Sequence, residues 1–322
     1  MEGLVRGVSS GHLSDLEAVQ VFRGVSFALV LILALFGLGV QGAEATWSVV
    51  GVDPETGEVE VAVASCVGSE VTVVPVLVPG VGAAASQADL SAPSGARLVE
   101  ALESGATPQE VIESVVAADD APDDRQFGVV VLNGGGAGWT GSDTFDVALD
   151  RRGSGGSVAV QGNILVSEDV VEAAIAAFED ADGELADRLL AGLVAGADAG
   201  GDSRCGDQTA TAAALIVARP GDETYAFTGA GVLGVDPDDE AVPSVFMSVL
   251  VAEGGERAPD RLLEAWQDAD QSSGSVVVRI TEGADTVGQV AGRGELIFLG
   301  VVVALGVIGV WALVWSRRRR AG

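Results

Sequence analysis

The chain has 322 residues, and 47 acidic against 17 basic residues give it a formal charge of −30. So much negative charge repels nucleic acid and argues against a nucleic-acid role, while it suits a protein kept soluble in high salt, where ions screen its self-repulsion. The basic residues are all Arg, and the single histidine, His12, lies ahead of an apolar leader, which excludes Ser-His-Asp and Cys-His chemistry from the domain that follows.

Residues 1–45 read as an N-terminal tail and signal peptide. The apolar run 27–40 is short for a membrane span and right for a signal-peptide core. Ala43-Glu44-Ala45 is a small-x-small site of the kind signal peptidase cuts. An uncleaved anchor is the other reading. A cut after Ala45 leaves Thr46 as the first residue, and a threonine beside its own α-amine is one way to make a nucleophile. The plainer reading is that Thr46 merely opens a strand.

Residues 46–282 read as one soluble domain. Residues 46–52 and 58–65 alternate around the turn Asp53-Pro54-Glu55-Thr56-Gly57, which predicts a hairpin. Residues 71–78 are strand-like, and the small residues of 82–87 suit a strand lying under something bulky. Residues 93–105 predict a helix. Thr107-Pro108-Gln109-Glu110 then predicts a helix start, with Thr as cap, Pro first and Glu three residues on. A second hairpin is expected from 126–132 and 137–140 about Asn133-Gly134-Gly135-Gly136. Residues 157–163 predict a strand, 170–178 and 184–197 helices, and 209–219 a strand with 223–228 as its partner. Asp236-Pro237-Asp238-Asp239-Glu240 is either a solvated acidic turn or a set of carboxylates for calcium, although its spacing fits no EF-hand. Residues 243–251 predict a strand, 259–268 a helix and 275–281 a last strand.

Residues 283–295 form a linker. Residues 296–315 carry no charge and are followed by Arg317-Arg318-Arg319-Arg320. That pattern predicts a membrane span with a basic cytoplasmic tail, 316–322, and a domain facing outside the cell. Strands in hairpins with helices between the groups predict an α+β fold, antiparallel sheets carrying helices on their outer faces.

No phosphate-binding loop, dinucleotide fingerprint or H-E-x-x-H is present, and no cofactor or metal is expected. Gln161-Gly162-Asn163 ends a strand; Asn163 either presents its amide to an oxyanion or forms a turn. Asp202, in Gly200-Gly201-Asp202, either orients an amine or caps a turn. Cys66 and Cys205 are the only cysteines, and in an exported domain such a pair is expected to join.

The segments Thr46-Trp47-Ser48-Val49-Val50, Asp53-Pro54-Glu55-Thr56-Gly57-Glu58 and Val61-Ala62-Val63-Ala64-Ser65 resemble the opening of the domain of unknown function 1028 family. Gly80-Val81-Gly82-Ala83, Ser86-Gln87-Ala88, Gln126-Phe127-Gly128-Val129-Val130, Trp139-Thr140-Gly141, Gln161-Gly162-Asn163-Ile164-Leu165 and Gly200-Gly201-Asp202-Ser203-Arg204 follow in that family's order, so the resemblance covers roughly 46–220. It groups the chain with N-terminal-nucleophile (Ntn) hydrolases and implies a four-layer α-β-β-α sandwich. It also implies amide hydrolysis by the first residue, here Thr46. Motif position adds Asn163 at the oxyanion, Asp202 or Ser65 at the amine and Gln87 at the substrate. The expectation is a membrane-tethered extracellular amidohydrolase acting on a small amide or peptide. The alternative is a non-catalytic surface domain that binds a small molecule or envelope component.

Overall fold

The computed structural model describes residues 46–67, 69–145, 147–228, 232–233, 245–250, 256–269 and 276–281. The expected leader, linker, membrane span, basic tail and acidic turn 236–240 lie outside them. Among the described residues no helix is long and apolar enough to cross a membrane.

Strand β1 (Thr46–Val52) runs antiparallel between β2 (Val59–Ser65) and β8 (Val158–Asn163), with Thr46 opposite both Ser65 and Asn163. Beyond β2 come β9 (Ala212–Ala218), β12 (Val245–Leu250) and β13 (Val276–Thr281), and beyond β8 comes β7 (Leu149–Arg152). This seven-stranded sheet is antiparallel apart from the β12–β13 pair, which is parallel. A second, four-stranded antiparallel sheet has the order β3 (Pro75–Val78), β4 (Gly82–Ala88), β5 (Arg125–Val131), β6 (Gly135–Thr140).

Helix α1 (Ala92–Glu103) begins at Ser91, whose side chain accepts from the Ser94 N–H, and it buries Leu98 and Leu102. Helix α2 (Pro108–Ala118) carries the expected start: Thr107 and Glu110 form a reciprocal capping box with Pro108 in the first turn. Both helices lie on the outer face of the small sheet, where Leu98, Leu102, Val111 and Val115 join Phe127 and Val129 in one apolar cluster. Helices α3 (Asp169–Asp180), α4 (Leu185–Asp198) and α5 (Ala258–Asp268) cover the large sheet in the same way, burying Phe178, Leu189, Leu193 and Trp266 against Trp47 and Val49. A third cluster fills the space between the sheets, with Val50, Val61 and Ile216 facing Leu77, Ala85 and Val130. The chain is thus α+β, with helices on the outer faces of two sheets packed on each other.

Two expectations need correction. Residues 223–228 do not pair with β9, whose edges are taken by β2 and β12. Instead β10 (Ala226–Phe227) pairs with β11 (Val232–Leu233), and Tyr225 bridges to Leu77 of the small sheet. The buried Tyr225 ring explains the departure, because it fills the layer between the sheets. Residues 71–78 are a strand only from Pro75; Ser69–Val73 is a 3₁₀ turn.

Candidate active site

Alternation along β1 sets the site. Trp47 and Val49 face the helices, so Thr46, Ser48, Val50 and Val52 face the other sheet. Trp47 anchors the start of the strand: its indole N–H donates to the Leu193 carbonyl at 3.2 Å. Gly196 makes room for it, since a Cβ there would lie 2.7 Å from the Trp47 ring nitrogen.

The same parity puts Ser65 of β2 and Asn163 of β8 beside Thr46 in the layer between the sheets. The Thr46 hydroxyl donates to Ser65 Oγ at 3.4 Å, the long end of hydrogen-bonding range. From the small sheet, Gln87 Nε2 donates to the Thr46 carbonyl at 3.2 Å and to Gln126 Oε1 at 2.8 Å. Gln87 Oε1 accepts from Ser48 Oγ, which also receives Gln161 Nε2. Asn163 Nδ2 donates to Gln126 Oε1 at 3.2 Å. Gly128 leaves the space that the Gln161 side chain occupies, because a Cβ there would overlap Gln161 Oε1. A buried network of amides and hydroxyls therefore links the two sheets at the Thr46 end.

Asp202 comes to the same end from the loop after α4, where it bridges to Leu165. It is fully buried, and Oδ2 accepts from the Cys66 N–H at 2.9 Å. Arg204 clamps the carboxylate with Nε on Oδ1 at 3.1 Å and Nη2 on Oδ2 at 2.9 Å. A disulfide joins Cys66 to Cys205 with 5.9 Å between the Cα atoms. It ties the end of β2 to the loop that holds Asp202. A cleft of about 430 Å³ opens here, lined by Cys66, Arg204, Cys205, Gln208 and Thr211. Thr46 is not in that lining, but the Thr211 N–H donates to the Ser65 carbonyl at 3.0 Å, so cleft and threonine share Ser65 as a neighbour.

Strain gathers at this end. Among the described residues, the non-glycine positions with left-handed φ are Ala88 (70°), Ile164 (53°) and Thr209 (59°). Ala88 follows Gln87, Ile164 follows Asn163, and the Thr209 carbonyl accepts the Asp202 N–H at 2.9 Å. Such conformations cost about 1–3 kcal/mol each and cluster at functional sites. Asn163 Oδ1 and Thr209 Oγ1 are also buried without a hydrogen-bond partner.

The residues singled out in the sequence thus come together: Thr46, Ser65, Asn163 and Gln87 in one network, and Asp202, Cys66 and Cys205 beside it. Sequence reasoning missed Ser48, Gln126 and Gln161 as members. Their signal was available: each is a polar residue at an inward position of an otherwise apolar strand.

The model of a family of unknown function, DUF1028, matches residues 46–245. The chain belongs to this family. The DUF1028 match begins at Thr46 itself, where β1 begins. A crystal structure of a Silicibacter pomeroyi protein assigned to DUF1028 is similar in fold, with a TM-score of 0.56 and 24% identity over 71% of this chain and 88% of that one. No curated protein matches the chain.

Proposed function

We propose that the chain is a membrane-tethered, extracellular amide hydrolase whose nucleophile is Thr46, made the first residue by removal of residues 1–45. The arrangement of helices, two sheets and helices fits the four-layer α-β-β-α sandwich of Ntn hydrolases. One observation carries the reading: Thr46 opens a central strand with its side chain in the polar end of the layer between the sheets, flanked by Ser65 and Asn163.

A cut ahead of Thr46 turns its peptide nitrogen into an α-amine. An unperturbed α-amine has a pKa of about 7.7–8.0, so an appreciable fraction is neutral near pH 7 and serves as a base where histidine is absent. The neutral amine takes the hydroxyl proton as Oγ1 bonds to the amide carbonyl carbon. The resulting ammonium returns that proton to the leaving nitrogen as the C–N bond breaks. Water then cleaves the acyl ester, again with the amine as base. Substrate enters by the cleft beside the disulfide, on the Ser65 side. Gln87, holding the Thr46 carbonyl, fixes the nucleophile's backbone. Asp202 holds the loop that walls the site.

The test is covalent labelling of the exported domain with an electrophilic acylating probe, read by peptide mass spectrometry. The expected result is one adduct on Thr46, lost in Thr46→Ala while the thermal transition is kept. Equal labelling of the Thr46→Ala protein refutes the assignment.

A further inference from the structure

Asn163 and Gln126 say more about this site, provided the reading of Thr46 as an amine-bearing nucleophile holds. Gln126 is fully buried on β5. Its Nε2 reaches the carbonyls of Leu149 at 3.2 Å and Gly162 at 2.9 Å, and the Thr140 hydroxyl at 3.0 Å. Carbonyl oxygens only accept, so this end of the amide must be the nitrogen. Oε1 therefore faces the site, where it takes N–H bonds from Gln87 at 2.8 Å and Asn163 at 3.2 Å. That in turn fixes the Asn163 amide. Its Nδ2 donates to Gln126, and its Oδ1 is left buried with no partner. Held this way, Asn163 presents a buried acceptor, Oδ1, that no donor in the network fills.

The nitrogen of Thr46 lies on the Asn163 side of its strand. The Ser65 carbonyl takes the Thr211 N–H at 3.0 Å, so Ser65 turns its backbone polar groups toward β9 and away from β1. In an antiparallel ladder, opposed residues either both face each other or both face away. Thr46, opposite Ser65, then turns its nitrogen and carbonyl toward β8, where Asn163 is its partner. The Val52 N–H, in the same phase of the strand, bonds the Ser157 carbonyl on that side at 3.0 Å. As a peptide the Thr46 nitrogen has one hydrogen. As an ammonium it has three, and a buried acceptor without a donor belongs to the residue across from it.

We infer that Asn163 Oδ1 receives the amine of mature Thr46, and that Gln126 is the positioning residue that turns Asn163 to do so. With the Asn163 carbonyl and Oδ1 each taking one amine hydrogen, the remaining position is left for the hydroxyl proton. That position is the lone pair when the amine is neutral and an N–H when it is charged. The charged groups brought to this end are Asp202 and Arg204, from the loop after α4, and Asp150 of β7, whose Oδ2 accepts at 2.9 Å from the Thr140 hydroxyl that Gln126 contacts. β2, β4, β5 and β8 bring the hydroxyl of Ser65 and the amides of Gln87, Gln126, Gln161 and Asn163.

The experiment uses the mature domain, first sequenced to begin at Thr46, with threonine labelled in ¹³C and ¹⁵N. NMR titration of Thr46 reads the amine midpoint without reference to turnover, and the pH profile of probe labelling is recorded beside it. Asn163→Asp, which places a carboxylate at the amine, is expected to raise the amine's proton affinity roughly tenfold or more and to move the labelling profile to higher pH with it. Asn163→Leu moves both the other way, and Gln126→Leu moves them in that same direction by less. If labelling slows in Asn163→Asp while the amine midpoint stays in place, Asn163 acts elsewhere and the inference fails. Because Asn163→Asp keeps the side chain's size, it decides the matter even where a leucine variant does not fold. A chain not beginning at Thr46 defeats the function proposed above instead, and is distinguished at the sequencing step.

Discussion

At one end of the layer between the sheets, Val50, Val52, Val61, Ala85, Val130 and Ala159 pack into an apolar cluster that Leu77, Ile216 and Tyr225 complete. At the other end the same strands, on the same face, carry Thr46, Ser48, Ser65, Gln87, Gln126 and Asn163. Backbone and pleat are shared, so the two ends differ only in what the side chains ask for. The apolar end asks for volume, and many side chains of similar size satisfy it. The polar end asks for direction, because each amide must present the correct atom to its neighbour. It also holds the strained positions Ala88, Ile164 and Thr209 and the unpartnered Asn163 Oδ1, none of which favours folding. Polar, strained and unsatisfied atoms kept together in one place are the mark of a site and not of a core.

This contrast can be broken most severely at the disulfide, which braces only the polar end. Closing a loop with a sequence separation of 139 corresponds to about 5 kcal/mol by chain entropy. Replacing both cysteines by serine should lower stability in urea by an amount approaching that figure, and hydrogen exchange should rise first around Cys66 and Asp202. Equal loss of protection at both ends would show that the bridge does not brace the polar end in particular.

Next comes truncation at the apolar end. Ile216→Ala leaves a cavity under Leu77 and should cost about 2–5 kcal/mol in urea unfolding while probe labelling of Thr46 persists. Gln126→Leu at the polar end should cost less, about 1–3 kcal/mol for the orphaned partners, yet should disturb labelling far more. The ratio of lost stability to lost labelling should invert between the two variants. Parallel losses would mean that the ends are not functionally distinct.

The smallest effect lies outside this layer. Burial, followed by the nearby Glu58, holds the Glu60 carboxyl well above the usual range, with Arg219 opposing. The folded chain therefore binds that proton more tightly than the unfolded chain does. The stability it contributes is complete below the unfolded carboxylate range and is lost as pH rises through the folded value. Glu60→Gln removes this loss. In thermal melts its advantage over the parent should be slight in acid and widen as pH is raised. A constant difference would show that Glu60 is not protonated on folding.

Much of this was legible in the sequence. Alternation marked the β1–β2 hairpin, the turn Asn133-Gly134-Gly135-Gly136 marked the β5–β6 hairpin, and Thr107 with Glu110 marked a helix start by local chemistry alone. The gathering of Thr46, Ser65, Asn163 and Asp202 followed from motif order. What stayed hidden depends on pairing at long range. β7 carries Asp150, Arg151 and Arg152 because it is an edge strand with one solvent face, so no apolar pattern announced it. The parallel β12–β13 pair is closed by the crossover helix α5, which local periodicity does not reveal. Gln126 read as the first residue of a strand; only the packing of one sheet on the other makes it the hub that sets Asn163.

Every role given to Thr46 requires that its nitrogen be an amine, and N-terminal sequencing with intact mass of the protein from its native membrane measures this directly. The account predicts a chain that begins Thr46-Trp47-Ser48-Val49. A protein that still carries residues 1–45 would contradict it, because a peptide nitrogen has no proton affinity to lend the hydroxyl.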